Sequence, residues 1–110
     1  MNRINVYEQS RNVVRQIAPL VHVVQRLDRS LADQLKRAAQ SMVLNIAEAR
    51  GTQDGNARTR FGTACGSAKE TRAALSIAAD WGYVDNDVVK RIDAELDRIC
   101  AITWTLSRRR

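Results

Sequence analysis

The sequence predicts an all-α protein, an antiparallel up-down-up-down four-helix bundle, and three observations carry that expectation. Apolar residues recur at steps of three and four along four separate stretches, the signature of helices that each bury one face. Gly and Pro are scarce, five and one in 110 residues, and the stretches are joined by short connections, which make neighbouring helices antiparallel. A chain of this length holds one core and hence one domain, 1–110.

The first helix is expected over about 4–27, with Val6, Ser10, Val13, Ile17, Leu20, Val24 and Leu27 facing inward and Val14 and Val21 widening the stripe. Pro19 falls in its middle and removes the bond to the carbonyl of Arg15. Because the apolar phase continues across the proline, one kinked helix is expected rather than two short ones. A second helix over 31–50 buries Leu31, Leu35, Ala38, Ala39, Met42, Val43, Ile46 and Ala47, capped by Ser30 and ended by Gly51 in a left-handed conformation. Gln34, Ser41, Asn45 and Glu48 border that apolar face as a polar stripe.

The turn-rich segment TQDGN follows, and Asp54 or Asn56 is expected to cap a third helix over 57–81. Its inward face reads Ala57, Phe61, Ala64, Ala68, Leu75 and Ala78, with Cys65, Ile77 and Trp81 alongside. The abundance of small residues, and above all Gly62 and Gly66 inside a helix, predicts a very close approach by another helix. Gly82 ends this helix, Tyr83 and Val84 fold back, and Asp85 caps a fourth over 86–107. The fourth buries Val89, Ile92, Leu96, Ile99, Thr103 and Leu106. Leu44, Val88, Ile102 and Trp104 fall off the main faces, which predicts self-association.

No apolar run is long enough to span a membrane, and the N-terminus is charged where a signal peptide needs apolar residues, so a cytoplasmic protein is expected. Cys65 and Cys100 then read as two small buried thiols. With one histidine, His22, and no Glu-x-x-His, no metal site is expected, and no phosphate loop, Ser–His–Asp set or HExxH points to a cofactor or to catalysis.

The net charge of +6 is unevenly spread. Residues 1–78 hold twelve Lys and Arg against six acids, residues 79–107 three against six, and Arg108, Arg109 and Arg110 close the chain. In an up-down-up-down bundle the start of helix 1, end of helix 2, start of helix 3 and end of helix 4 share one pole. That pole collects Arg3, Arg50, Arg58, Arg60, Arg108, Arg109 and Arg110 with Glu8, Glu48 and Asp54 nearby, whereas Asp28, Asp80, Asp85 and Asp87 gather at the other, relieved by Arg26 and Arg29.

The segments QLKRAAQSMVLNIAEARG and FGTACGSAKETRAALSIAADWGYV resemble the four-helix bundle family also named after intervening sequences of bacterial 23S ribosomal RNA genes. The matching positions are Gln34, Leu35, Arg37, Ala38, Ala39, Ser41, Asn45, Ile46, Ala47 and Glu48, then Ala64, Gly66, Ser67, Glu70, Gly82 and Tyr83. The family's Glu-Gly is Glu48-Ala49 here, with the glycine displaced to Gly51. The resemblance implies a helical bundle assembled as a homopentamer. More distantly the fold is similar to accessory proteins of diversity-generating retroelements, basic pentamers that bind nucleic acid and a reverse transcriptase.

Gln34, Ser41, Asn45, Glu48, Ser67 and Glu70 are expected to form a structural polar cluster between helices 2 and 3, hydrogen-bonded where buried. Glu48 and Glu70 would support an enzyme only if both lined one solvent-filled pocket. The function expected is a non-enzymatic oligomeric scaffold whose arginine pole binds RNA or DNA through the backbone, without sequence preference. The alternative is a protein-interaction module that partners another enzyme and binds no nucleic acid.

Overall fold

The structure is a computed structural model that describes residues 5–51 and 55–109. Four helices follow in order, α1 (Val6–Leu27), α2 (Arg29–Arg50), α3 (Gly55–Asp80) and α4 (Asn86–Ser107), with no strand among the described residues. Each helix packs against its neighbours in sequence, and α1 closes the ring against α4. The expected up-down-up-down bundle is therefore observed, flattened to 43 × 30 × 18 Å.

The bundle is antiparallel because its turns leave no alternative. Asp28 alone separates α1 from α2. Its backbone N–H donates to the Val24 carbonyl at 2.7 Å, while its Oδ1 accepts from the Leu31 N–H at 3.0 Å. One residue thus ends one helix and caps the next, replacing the expected cap Ser30, which lies inside α2. At the end of α3, Gly82 takes a φ of +78°. This lets the Gly82 N–H reach the Ala79 carbonyl and the Tyr83 N–H the Ala78 carbonyl, both at 2.9 Å, a Schellman closure. Asp85 caps α4 as expected, its Oδ1 accepting from the Asp87 and Val88 N–H groups.

Several local expectations are corrected. Gly51 closes α2 at φ −90°, in an ordinary right-handed turn. Asn56 lies inside α3, which starts earlier than expected, and Asp54 falls outside the described residues. Helix α1 begins at Val6 behind its cap Asn5, whose Oδ1 accepts from the Glu8 N–H, and it runs unbroken through Pro19. Pro19 and Arg15, whose bond the proline removes, both lie on the exposed side of the helix.

Ile17, Leu35, Met42, Ile46, Leu75, Ile92, Leu96 and Ile99 fill the centre, with contributions from every helix. Around them α3 presents mainly alanine, with Ala64, Ala68 and Ala78 fully buried, so that its neighbours can close upon it. Leu27, expected inward, is 59% exposed because α1 ends there. Ala47, Ile77 and Trp81 are also exposed, while Ala57, Phe61 and Leu106 are half-buried. Val88 and Ile102, expected to lie off the main faces, pack against the core. Cys65 and Cys100 are free and buried, the Cys65 thiol lying 3.5 Å from the Cys100 carbonyl. Burial pushes the Cys100 thiol up, against a smaller opposite pull from Arg72.

The two helix glycines do not mark the close approach expected. A Cβ built on Gly66 meets nothing within 4 Å, and one on Gly62 only the Ser107 Cβ at 3.8 Å. Both face outward. Gly66→Ala should therefore stabilise the isolated chain by about 0.5–1 kcal/mol, through the entropy a helical glycine loses on folding. Gly82→Ala should destabilise it by about 1–2 kcal/mol, because alanine strains in the left-handed region. Urea denaturation of the two variants checks both signs.

Candidate nucleic-acid interface

The polar stripe of α2 meets α3 at one short contact. Ser41 Oγ and Ser67 Oγ lie 2.7 Å apart, and Asn45 Nδ2 donates to the Ser41 carbonyl at 2.9 Å and to Ser41 Oγ at 3.2 Å. From there the chain of contacts runs toward the arginine pole. Arg60 donates to Asn45 Oδ1 at 3.4 Å and pairs with Glu48 at 3.5 Å. Ser67 is buried and Ser41 and Asn45 half-buried, so these groups must be hydrogen-bonded. The Arg60–Glu48 pair is half exposed on both sides, which limits it to less than about 1 kcal/mol.

Four of the six residues expected in the polar cluster are thus linked, and two are not. Gln34 and Glu70 stand further from the pole, on the exposed lining of a groove of about 630 Å³ between α2 and α3 that also includes Arg37, Ser41, Ala73 and Ile77. Glu48 is seven residues poleward of Ser41, and Glu70 three residues the other way from Ser67. At 1.5 Å per residue the two carboxylates are about 15 Å apart along the bundle. They line no common pocket, so the paired-carboxylate arrangement considered above is not formed.

The arginine pole assembles as the topology requires. Arg50, at the end of α2, places its guanidinium 4.8 Å from the centre of the Tyr7 ring at the start of α1. Arg11 lies 5.8 Å from the same ring and donates to the Tyr7 hydroxyl at 3.0 Å. Gly62 of α3 faces Ser107 of α4. Around these contacts stand Arg50, Arg58, Arg60, Arg108 and Arg109, all exposed. Arg108 lies 4.7 Å over the ring of Trp104, itself 53% exposed. Arg3 and Arg110 lie outside the described residues. The described acids at this pole are Glu8 and Glu48.

The opposite pole is acidic. Tyr83, from the α3–α4 turn, directs its hydroxyl to Asp28 Oδ2 at 3.4 Å, joining the two connections there. Partial desolvation, with the Asp28 charge and hydrogen bond, raises the Tyr83 phenol above its ordinary value. Asp80, Asp85 and Asp87 also stand at this end, partly offset by Arg26 and Arg29, which flank Asp28.

An inter-helix clamp that no motif in the sequence announces joins α3 to α4. Arg72 of α3 grips Asp93 of α4 with two parallel bonds, Nε to Oδ1 at 2.7 Å and Nη2 to Oδ2 at 3.0 Å, and reaches Asp97 at 3.0 Å. The hydrogen bond to Asp93 keeps the guanidinium protonated well above its ordinary range, against a smaller loss by desolvation. The available signal was a lone arginine in an alanine-rich stretch, opposite two aspartates four residues apart. Among the described residues no three His, Cys, Asp or Glu side chains converge as metal ligands would. No helix among them is long and apolar enough to cross a membrane.

With this geometry in place, comparison with known proteins settles the family. The family described as 23S rRNA-intervening sequence protein matches residues 2–104. The chain belongs to that family. Its fold is similar to the crystal structure of a protein of unknown function from the S23 ribosomal protein family of Bacteroides thetaiotaomicron, with a TM-score of 0.84 and 18% identity. That match covers 96% of this chain and 100% of the other. No curated protein matches.

The serine contact yields a test. Ser41→Ala and Ser67→Ala should each destabilise the bundle by about 0.5–1.5 kcal/mol, because each removes the bond between the two hydroxyls, and Ser41→Ala also takes an acceptor from Asn45. The double variant should lose at least about 0.5 kcal/mol less than the two singles together. Strict additivity in a denaturation cycle would show that the two hydroxyls do not act as a pair.

Proposed function

We propose that this member of the 23S rRNA-intervening sequence protein family is a non-enzymatic, self-associating scaffold that holds RNA or DNA at its arginine pole. The observation that carries this reading is the gathering of Arg50, Arg58, Arg60, Arg108 and Arg109 on one end of the molecule, with aspartates at the other. Arginine suits phosphate because its planar fork donates two parallel hydrogen bonds and stays charged. Arg50 is also held in place by Tyr7 and Arg60 by Glu48, so part of the ordering cost is met before a ligand arrives. Contacts of this kind go to the backbone and confer no preference among base sequences.

Self-association supports the same function. Leu44 is 60% and Ile77 44% exposed, and the outward face of α3 carries Gly62, Gly66 and Ala73. The five copies that the family resemblance implies, all pointing the same way, would form a ring of arginine poles and multiply the local field. A second reading is favoured by the α2–α3 groove, whose Ala73, Ala74 and Ile77 offer an apolar floor to a protein partner. It differs in predicting no affinity for nucleic acid at low salt.

Affinity for a labelled oligonucleotide, followed across salt concentrations, tests the proposal. For about four phosphate contacts, binding should weaken roughly 50- to 150-fold between 50 and 200 mM salt. Replacing Arg50, Arg58 and Arg60 together by alanine should flatten that dependence by about two to three units of log–log slope, with the helical circular dichroism retained. Salt-independent binding, or none at low salt, contradicts the proposal. Light scattering with absorbance at two wavelengths on the same peak reports the assembly and any carried nucleic acid.

A further inference from the structure

Three aromatic side chains stand at the arginine pole, Tyr7, Trp104 and the half-buried Phe61, and the first two are in different states. Tyr7 is half-buried and fully engaged, its hydroxyl bonded to Arg11 and its ring face under Arg50. Trp104 is 53% exposed, so much of its indole is uncovered. Its ring lies under the Arg108 guanidinium at 4.7 Å, from the residue that closes α4. One turn further from the pole than the Gly62–Ser107 contact, α3 carries Gly66, where a Cβ would meet nothing within 4 Å.

We infer that Trp104 is a stacking platform for an unpaired base and that the arginine pole therefore selects single-stranded over duplex nucleic acid, an inference that rests on the function proposed above. A base in a duplex is already stacked and paired, so only its edges and backbone are presented. A single strand offers a free base face for every phosphate it brings to the arginines. Stacking on an aromatic side chain weighs about 5- to 150-fold in affinity per base, whereas an exposed arginine–aromatic contact weighs about 2- to 5-fold. A base therefore displaces Arg108 from the indole, and the freed guanidinium remains beside the incoming strand, where it can take a phosphate. Stacking needs no particular base, in keeping with backbone-directed binding.

The test compares an oligothymidylate of about 15 nucleotides with a duplex of the same length. The full chain is used, unaltered and as Trp104→Ala and Trp104→Phe. The unaltered chain should prefer the single strand. Trp104→Ala should lower the ratio of single-strand to duplex affinity by at least about fivefold, and Trp104→Phe should restore most of it. Trp81 stacks near Tyr83 at the other pole, 6.5 Å between ring centres, so a Trp81→Phe chain leaves Trp104 as the single tryptophan, excited selectively at the red edge of the indole band. Its emission should be quenched by oligothymidylate and not by duplex, a readout that survives even if Trp104→Ala fails to fold. Single-strand binding without quenching, or with an unchanged affinity ratio in both Trp104 variants, overturns the stacking role and leaves the arginine pole standing. A smaller assembly in Trp104→Ala with an unchanged ratio also overturns it, assigning the indole to a contact between copies. No binding of either nucleic acid at low salt overturns the proposed function and this inference with it.

Discussion

The register between α2 and α3 governs where the charged groups of this protein end up. Once Ser41 faces Ser67 at 2.7 Å, antiparallel geometry sets each residue of α2 beside a defined partner on α3. Asn45 and Glu48 meet Arg60, and Arg37 shares a groove with Glu70. A slip of one turn would move the arginines of α3 about 5 Å relative to those of α2. The alanines that flank the serine pair allow close approach but carry no directional information. Buried hydroxyls do, because leaving one unpaired costs about 1–3 kcal/mol. Between α3 and α4 the same role falls to the Arg72 clamp on Asp93 and Asp97, whose paired bonds admit one alignment.

Electrostatic polarity follows from this alignment together with topology. Two connections, the single residue Asp28 and the turn at Gly82, fix the acidic end, and their joining through Tyr83 holds them side by side. The other ends of all four helices must then converge, and the described arginines there come from three separate parts of the chain, Arg50, the pair Arg58 and Arg60, and the pair Arg108 and Arg109. A field of one sign at one end of an elongated molecule steers a polyanion toward that end before any specific contact forms. The site is thus a consequence of the bundle rather than of a local motif.

Much of this was legible in the residues. Apolar periodicity gave the four helices, and the charge pattern gave both poles once an up-down-up-down order was assumed. The misses have physical causes. Asp28 outcompeted Ser30 as a cap because one residue suffices for the turn, a matter of backbone geometry that periodicity does not report. Gly62 and Gly66 predict a very close approach by another helix, yet both look outward from the bundle. Intrinsic propensity identifies a glycine as costly without saying which face it occupies. Ile77 and Trp81 follow the helical period but extend past the width of face that α2 and α4 can cover. Glu48 and Glu70 each border the α2–α3 seam, and only the register shows that about 15 Å of helix separates them. The Arg72 clamp escaped notice because it links charges far apart in sequence.

Amide chemical-shift mapping with a short oligonucleotide tests the central claim most directly, since it asks which end of the bundle meets the ligand. The account predicts perturbations concentrated at Tyr7, Arg50, Arg58, Arg60 and Trp104 through Arg109, with little change near Asp28 or between Asp80 and Asp87. Shifts clustered at that aspartate end, or confined to the α2–α3 groove around Arg37 and Ile77, would contradict it.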